Sequence, residues 1–260
     1  MTVQAMSESS GSALRILSWN VNGLDAARLD SRIEQLCTEI VLGVDLSDAL
    51  TGEVRPMPAV VCLQEVVRRA HLATIGPHLR AAGFVLYPEK PARDEGDYLL
   101  LAVRPPWRID EVAAHAFGDS PLARAWLEAT IVHQAGARAR VLTAHMESLR
   151  SGSGSRVAQC VELDSRIRAS AEPCVFAGDT NLRDEEWARA RDGGVAMRDA
   201  FELAGAPRAH RHTWWPERRG RGYRFDRVWL DAKRAWTVEL GTRRRPRLSD
   251  HAAIEALLSF

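Results

Sequence analysis

Residues 175–184 read VFAGDTNLRD. The apolar run Val175-Phe176-Ala177 stops at Gly178, and Asp179, Asn181 and Arg183 follow at alternating positions. An acid, an amide and a guanidinium this close together suit a site that holds a phosphate and activates a nucleophile beside it. Four more apolar runs end in polar groups: Leu14–Trp19 at Asn20, Ala59–Leu63 at Gln64-Glu65, Arg140–Ala144 at His145, and Tyr223-Arg224-Phe225 at Asp226. Asp250-His251 opens the last run. Taken singly, an Asp after Gly is a turn or cap residue and a lone His is structural. Two Asn, four acids and two His at strand termini ask for a common explanation.

Hydrophobic spacing supplies the elements that would position them. Strands are expected at 14–20, 59–64, 83–87, 97–103, 173–178, 222–230, 235–240 and 251–258, with three more near 111–117, 124–133 and 138–146. Leu29, Ile33, Leu36 and Ile40 recur at helical spacing within 28–42, and 68–82 reads as a second helix. The SGSGS stretch at 151–155 leads into a helix expected to face Val157, Val161, Leu163 and Ile167 inward. Short helices fit 184–190 and 198–204. Strands alternate with helices, run as hairpins in the middle, then mix again. That order predicts an α/β fold in which two mixed β-sheets pack as a sandwich flanked by helices, a four-layer αββα arrangement. One domain over 14–260 would gather the polar strand ends along one edge of the sandwich.

Composition narrows the class. The chain has 260 residues, 46% of them hydrophobic, with no run long enough to span a membrane. Residues 1–13 read as a disordered leader without a basic and apolar signal, so the expected location is cytoplasmic, or nuclear in a eukaryote. Cys37, Cys62, Cys160 and Cys174 are isolated and fit buried free thiols. Net charge is +1, yet residues 208–247 hold thirteen Lys or Arg against four acids, a local +9. Such an arginine-rich face suits either plain solvation or a polyanion.

Six motifs in order, SWNVNGL (18–24), LQEV (63–66), HMES (145–148), GDTN (178–181), RFDR (224–227) and LSDH (248–251), resemble the endonuclease/exonuclease/phosphatase superfamily of metal-dependent phosphoesterases. Within it, GDTNLRD (178–184), HMESLR (145–150) and the Trp before RFDR are most similar to 5′-tyrosyl-DNA phosphodiesterases. The chain departs from that group at Asn22, where an acid is usual. SWNVNGL alone is as similar to abasic-site endonucleases.

The resemblance implies a role for each residue. Glu65, with Asn22 and Asp250, would hold Mg2+, with Mn2+ as a substitute. Asp179 would activate water, Asn181 would orient water or phosphate, and His251, held by Asp226, would donate to a phosphoryl oxygen, as would His145. Asn20, Glu147, Ser148, Arg150, Arg183 and Trp214 would bind substrate, with Trp214 against the first base. The expected partner is DNA with a modified 5′ end, handled by a monomer with no obligate protein partner and no membrane. An abasic-site endonuclease, a less selective nuclease or phosphatase, and a catalytically silent nucleic-acid-binding module are the rivals.

Overall fold

The computed structural model describes residues 13–42, 56–216 and 220–260. The expected leader, apart from Ala13, lies outside them, as do Arg218 and Arg219 of the basic segment.

Each of two sheets has six strands with a parallel pair at its centre. The first runs in the order β11 (Thr237–Arg243), β12 (Ala253–Ser259), β1 (Leu14–Asn20), β2 (Val60–Val67), β4 (Asp97–Val103) and β3 (Val85–Tyr87). The second runs β5 (Trp107–Ala116), β6 (Ala125–His133), β7 (Arg138–Ala144), β8 (Cys174–Asp179), β10 (Asp226–Leu230) and β9 (Arg198–Asp199). The parallel pairs are β1–β2 and β7–β8, and the other ladders are antiparallel.

Alternation along each strand splits its side chains between two cores. Leu14 and Ile16 of β1 join Val175 and Ala177 of β8 and Val228 and Leu230 of β10 between the sheets. Leu17 and Trp19 point the other way, onto Ile33, Leu36 and Ile40 of α1 (Leu29–Leu42). On the far side, Phe176 and Trp229 pack with Cys160, Leu163 and Ile167 of α4 (Ser153–Ala169) and Trp187 of α5 (Asp184–Asp192). Helix, sheet, sheet and helix therefore stack in the expected four layers.

Several local expectations change. The helix at 68–82 is α2 (Arg68–Ala70) and α3 (Gly76–Ala81) separated by a π turn at His71–Ile75. The expected helix at 198–204 begins as β9, which pairs with β10 before turning into α6 (Ala200–Leu203). The strand expected from 222 starts at Asp226, and Tyr223 makes only an isolated bridge to Trp214. Val161 is exposed; the buried face of α4 is Arg156, Gln159, Cys160, Leu163, Asp164 and Ile167. Leu163 and Ile167 face inward as expected and Val157 packs at the edge of the same core, but half of the buried face is polar, which hydrophobic spacing does not show.

Candidate active site

The polar strand ends do meet. Parallel register sets Asn20 beside Gln64, and antiparallel register sets Asp226 beside Asp179. His145 continues β7 as a bridge to Asp179, and His251, just before β12, bridges to Trp214. Asn20, Glu65 and His251 thus come from the first sheet, and His145, Asp179 and Asp226 from the second. Beneath them Gln64 Nε2 donates to Ser18 Oγ and Thr143 Oγ1, both at 3.1 Å, tying the sheets together.

Glu65 owes its direction to a bulge. The β2–β4 register shifts between Leu63 and Val66, and Glu65 takes φ 55°. Left-handed backbone in a residue with a Cβ costs about 1–2 kcal/mol, and such strain gathers where a side chain must be aimed. The Asn22 turn lies against it: a Cβ on Gly23 would stand 2.1 Å from the Glu65 carbonyl oxygen, so only glycine fits. Gly178 plays the same part between β7 and β8, where a Cβ would meet the Ala144 oxygen at 2.5 Å.

Asn20 is fully buried and all its polar groups are committed. Its Nδ2 donates to Glu65 Oε1 at 3.0 Å and to Asp179 Oδ2 at 2.9 Å, and its Oδ1 accepts the Asn22 amide. Expected to bind substrate, it instead bridges two carboxylates from different sheets. Asp179 Oδ1 accepts the Asn181 amide at 3.0 Å. Its Oδ2 faces two imidazoles, His145 Nε2 at 3.5 Å and His251 Nε2 at 3.7 Å. Burial alone would raise the Asp179 carboxyl, but His251, His145, Asn20 and the Asn181 amide outweigh it and hold it below the usual range.

His251 Nδ1 lies 2.8 Å from Asp226 Oδ2. Burial works against its charge, yet Asp226 and Asp179 raise it to about 10, so it is an imidazolium at neutral pH. Asp226 is pushed upward by burial and by the charge of Asp179, with His251 opposing. Asp179, Asp226 and His251 offer atoms within 4.8 Å of one another. A protonated imidazole has no lone pair for a cation, so this trio is an ion network. Glu65 is a better fit to a hard divalent ion: its carboxylate reaches solvent, and Asn22, half-buried on the adjacent turn, could offer an amide oxygen.

His145 has partners that the motif does not announce. Arg124 Nη1 lies 3.0 Å from its Nδ1, and Asp97 Oδ2 lies 3.7 Å from the same nitrogen. A guanidinium only donates, so in the neutral ring Nδ1 accepts and the hydrogen sits on Nε2, toward Asp179; in the imidazolium both nitrogens carry hydrogen and Nδ1 faces Asp97. Burial would raise Asp97, but a hydrogen bond and the charge of the imidazolium form of His145, with the charge of Arg124, keep it below the usual range. A cavity of about 220 Å³ opens beside them, lined by Tyr87, Tyr98, Leu122, Leu127, Arg124 and His145 among others.

On the His251 side stands an aromatic group. The Trp214 ring centre is 5.2 Å from Phe225 and 6.5 Å from His251, Tyr223 stacks on Phe225, and Arg183 lies over both Tyr223 and Phe225. The Trp214 indole donates to Asp250 Oδ2 at 2.8 Å. Asp250 therefore has one oxygen engaged by Trp214, while no partner is shown for Oδ1.

Asn181 has φ 51°, is half-buried and donates weakly to the Met146 carbonyl at 3.4 Å. Ser148 is half-buried and Arg150 exposed on the loop after β7. Glu147 is not a substrate ligand here: it is buried, with its carboxylate accepting from Ser120 Oγ at 2.7 Å and the Leu122 amide at 3.2 Å. Arg124, Asp97, Tyr223 and Phe225 were not singled out by residue type. The Glu95-Gly96 and Tyr98 stretch flanking Asp97, and the RFDR motif around Phe225, were the available signals.

Two mixed six-stranded sheets with this constellation at their shared edge define a phosphoesterase-type sandwich, and the chain belongs to the Endonuclease/Exonuclease/phosphatase family, whose model matches residues 17–251. The chain is 30% identical over 266 residues to the 5′-tyrosyl-DNA phosphodiesterase of Caenorhabditis elegans, covering 95% of this chain and 67% of that protein. It is 29% identical over 213 residues to tyrosyl-DNA phosphodiesterase 2 of Danio rerio, covering 81% of this chain and 52% of the relative. It thus spans about half the length of the vertebrate relatives it matches. Among solved structures, D. rerio TDP2 complexed with single-strand DNA product superposes with TM-score 0.78 at 26% identity, over 96% of this chain and 100% of that one.

Proposed function

We propose that the chain is a metal-dependent phosphodiesterase that hydrolyses 5′-phosphotyrosyl or similarly blocked DNA ends. The observation that carries this reading is the asymmetry about Asp179. One imidazole, His145, borders a half-apolar cavity large enough for a phenol ring, while the other, His251, borders the Trp214–Phe225–Tyr223 group. A phosphate between them would have an aryl group on one side and a nucleoside on the other. The names of the relatives, and the DNA product held by one neighbour, favour the same assignment.

Asp179, ionised and fixed by Asn20 and the Asn181 amide, accepts the proton of the attacking water. His251 donates its Nε2 hydrogen to a phosphoryl oxygen as charge develops there, while Asp226 holds Nδ1 and keeps the ring charged. His145 presents a second hydrogen from Nε2 to the same region. Glu65, Asn22 and Asp250 Oδ1 would hold Mg2+, with Mn2+ as a substitute; when bound, the ion neutralises phosphate charge. A phenol, with a pKa near 10, leaves as an anion far more readily than a sugar alkoxide. The site therefore has less need of a strong acid at the leaving oxygen. Exposed Arg150, half-buried Arg183 and the exposed Arg208, Arg211, Arg221, Arg244 and Arg247 of the basic segment would meet the DNA strand, while Arg227 and Arg243 are buried in ion pairs. We extend the proposal to a monomer in a reducing, cytoplasmic or nuclear compartment, in keeping with four buried free thiols.

A 5′-phosphotyrosyl oligonucleotide and an abasic-site duplex, each assayed with and without Mg2+, test the reading. Release of tyrosine only with metal is expected, and preferential incision of the abasic duplex would overturn it.

A further inference from the structure

The polar face of α4 lies directly under the two loops that the proposed function assigns to the nucleotide. Arg156 is fully buried, where an unpaired guanidinium would be very costly. Its Nε and Nη2 form a fork onto Glu186, at 2.8 Å to Oε2 and 2.6 Å to Oε1. The remaining terminal nitrogen, Nη1, donates to three successive carbonyls, those of Glu147 and Ser148 at 3.2 Å and of Leu149 at 2.6 Å.

Those carbonyls belong to the loop after β7, which carries Arg150. The loop is wound tightly there: Leu149 takes φ 63°, and a Cβ on Gly152 would meet the Ser148 oxygen at 2.4 Å. Glu186 lies in the first turn of α5, at the end of the other loop. Its Oε2 accepts the Arg183 amide at 3.0 Å, closing the first turn of α5, and its Oε1 lies 3.5 Å from Arg183 Nη1. Burial works against the Glu186 carboxylate, but Arg156 and the Arg183 amide hold it down at about 2. One ion pair therefore joins the backbone of the Arg150 loop to the backbone of the Arg183 loop.

We infer that Arg156 and Glu186 are positioning residues for substrate recognition: the Arg156–Glu186 pair fixes the spacing of Arg150 and Arg183, and so sets affinity for the 5′-terminal nucleotide without touching the reacting phosphate. An apolar pair of equal volume would pack as well but could grip neither the three carbonyls nor the Arg183 amide. The inference rests on the reading that these two loops meet the nucleotide.

Glu186→Gln keeps the shape and loses the charge; Arg156→Lys keeps the charge and loses the fork. In both, affinity for a 5′-phosphorylated single-stranded oligonucleotide, read by fluorescence anisotropy, should fall about tenfold or more. KM for the phosphotyrosyl oligonucleotide should rise with kcat nearly unchanged, and hydrolysis of bis(4-nitrophenyl) phosphate, which has no nucleotide, should hold. Hydrogen exchange should quicken together in 147–152 and 182–187. Unchanged oligonucleotide affinity overturns the inference. So does an equal loss on both substrates, or exchange that quickens only in the mutated loop. If Arg156→Lys does not fold, Glu186→Gln carries every one of these readouts. A wild-type protein that ignores oligonucleotides altogether would sink the proposed function instead, and the paired exchange response would still report on the clamp.

Discussion

Arg124 selects the tautomer of neutral His145: its Nη1 lies 3.0 Å from the imidazole Nδ1, leaving Nε2 to carry the hydrogen toward Asp179. Replacing it with Leu should leave either tautomer open and lower kcat about ten- to a hundredfold, in line with the loss of other orienting partners. Steady-state kinetics check this; an unchanged kcat would mean that His145 needs no orientation.

The pH profile follows from His251 and Asp179. Catalysis needs His251 protonated and Asp179 ionised, so kcat should be level through neutrality and fall on the alkaline side only near pH 10. The acid limb should lie below the ordinary carboxylate range, because Asp179 is held down. Stability shifts with the same signs. The raised His251 stabilises the fold fully below 6.5 and loses that contribution as pH rises through about 10. Asp179 contributes above 3.8 and loses its share as pH falls past its lowered value. A kcat profile that breaks near pH 6.5 would show that His251 acts as a neutral base.

Chelation should abolish turnover, and Glu65→Ala should do the same with the sandwich intact by circular dichroism. Asn22→Asp adds a charge beside Glu65 and should lower the metal concentration needed for half-maximal rate. A requirement that stays equal or climbs would place Asn22 on the phosphate instead.

Trp214→Ala should weaken oligonucleotide binding by about 1–3 kcal/mol if the ring meets a base. A small aryl phosphodiester should be hydrolysed almost as before. Trp214→Phe retains a ring but removes the hydrogen bond to Asp250 Oδ2, so a metal requirement that shifts in that variant would point to Asp250. Equal losses on both substrates for the Ala variant would make Trp214 purely structural.

The layers and the convergence of Glu65, Asp179, Asp226 and His251 were legible because strands alternate and because apolar runs ended in polar groups. What escaped was the direction of buried polar side chains. Residue type does not distinguish an Asn that meets a phosphate from Asn20, whose amide joins two carboxylates, or a solvent-facing Glu from Glu147, which holds the Ser120–Leu122 turn. On α4, spacing placed Leu163 and Ile167 inward correctly but sent Val161 the wrong way and gave no sign of Arg156, Gln159 and Asp164, half of the buried face. The helix expected at 198–204 is shortened to Ala200–Leu203 for a related reason: the β10 edge offered Arg198 and Asp199 a ladder that local spacing cannot foresee.

Arg156 has a counterpart at the other sheet. Arg32, like Arg156 the fourth residue of its helix, sends its guanidinium into the carbonyls of Val21, Asn22, Asp25, Ala27 and Leu248. Both arginines grip carbonyl oxygen, a group that every amino acid brings. Anchorage of these rims is therefore indifferent to which side chains decorate them. The side chain at position 22 can change while the turn beneath it keeps its shape. Scaffold and specificity are written in separate atoms, which leaves the edge of this sandwich free to change what it recognises without relearning how to fold.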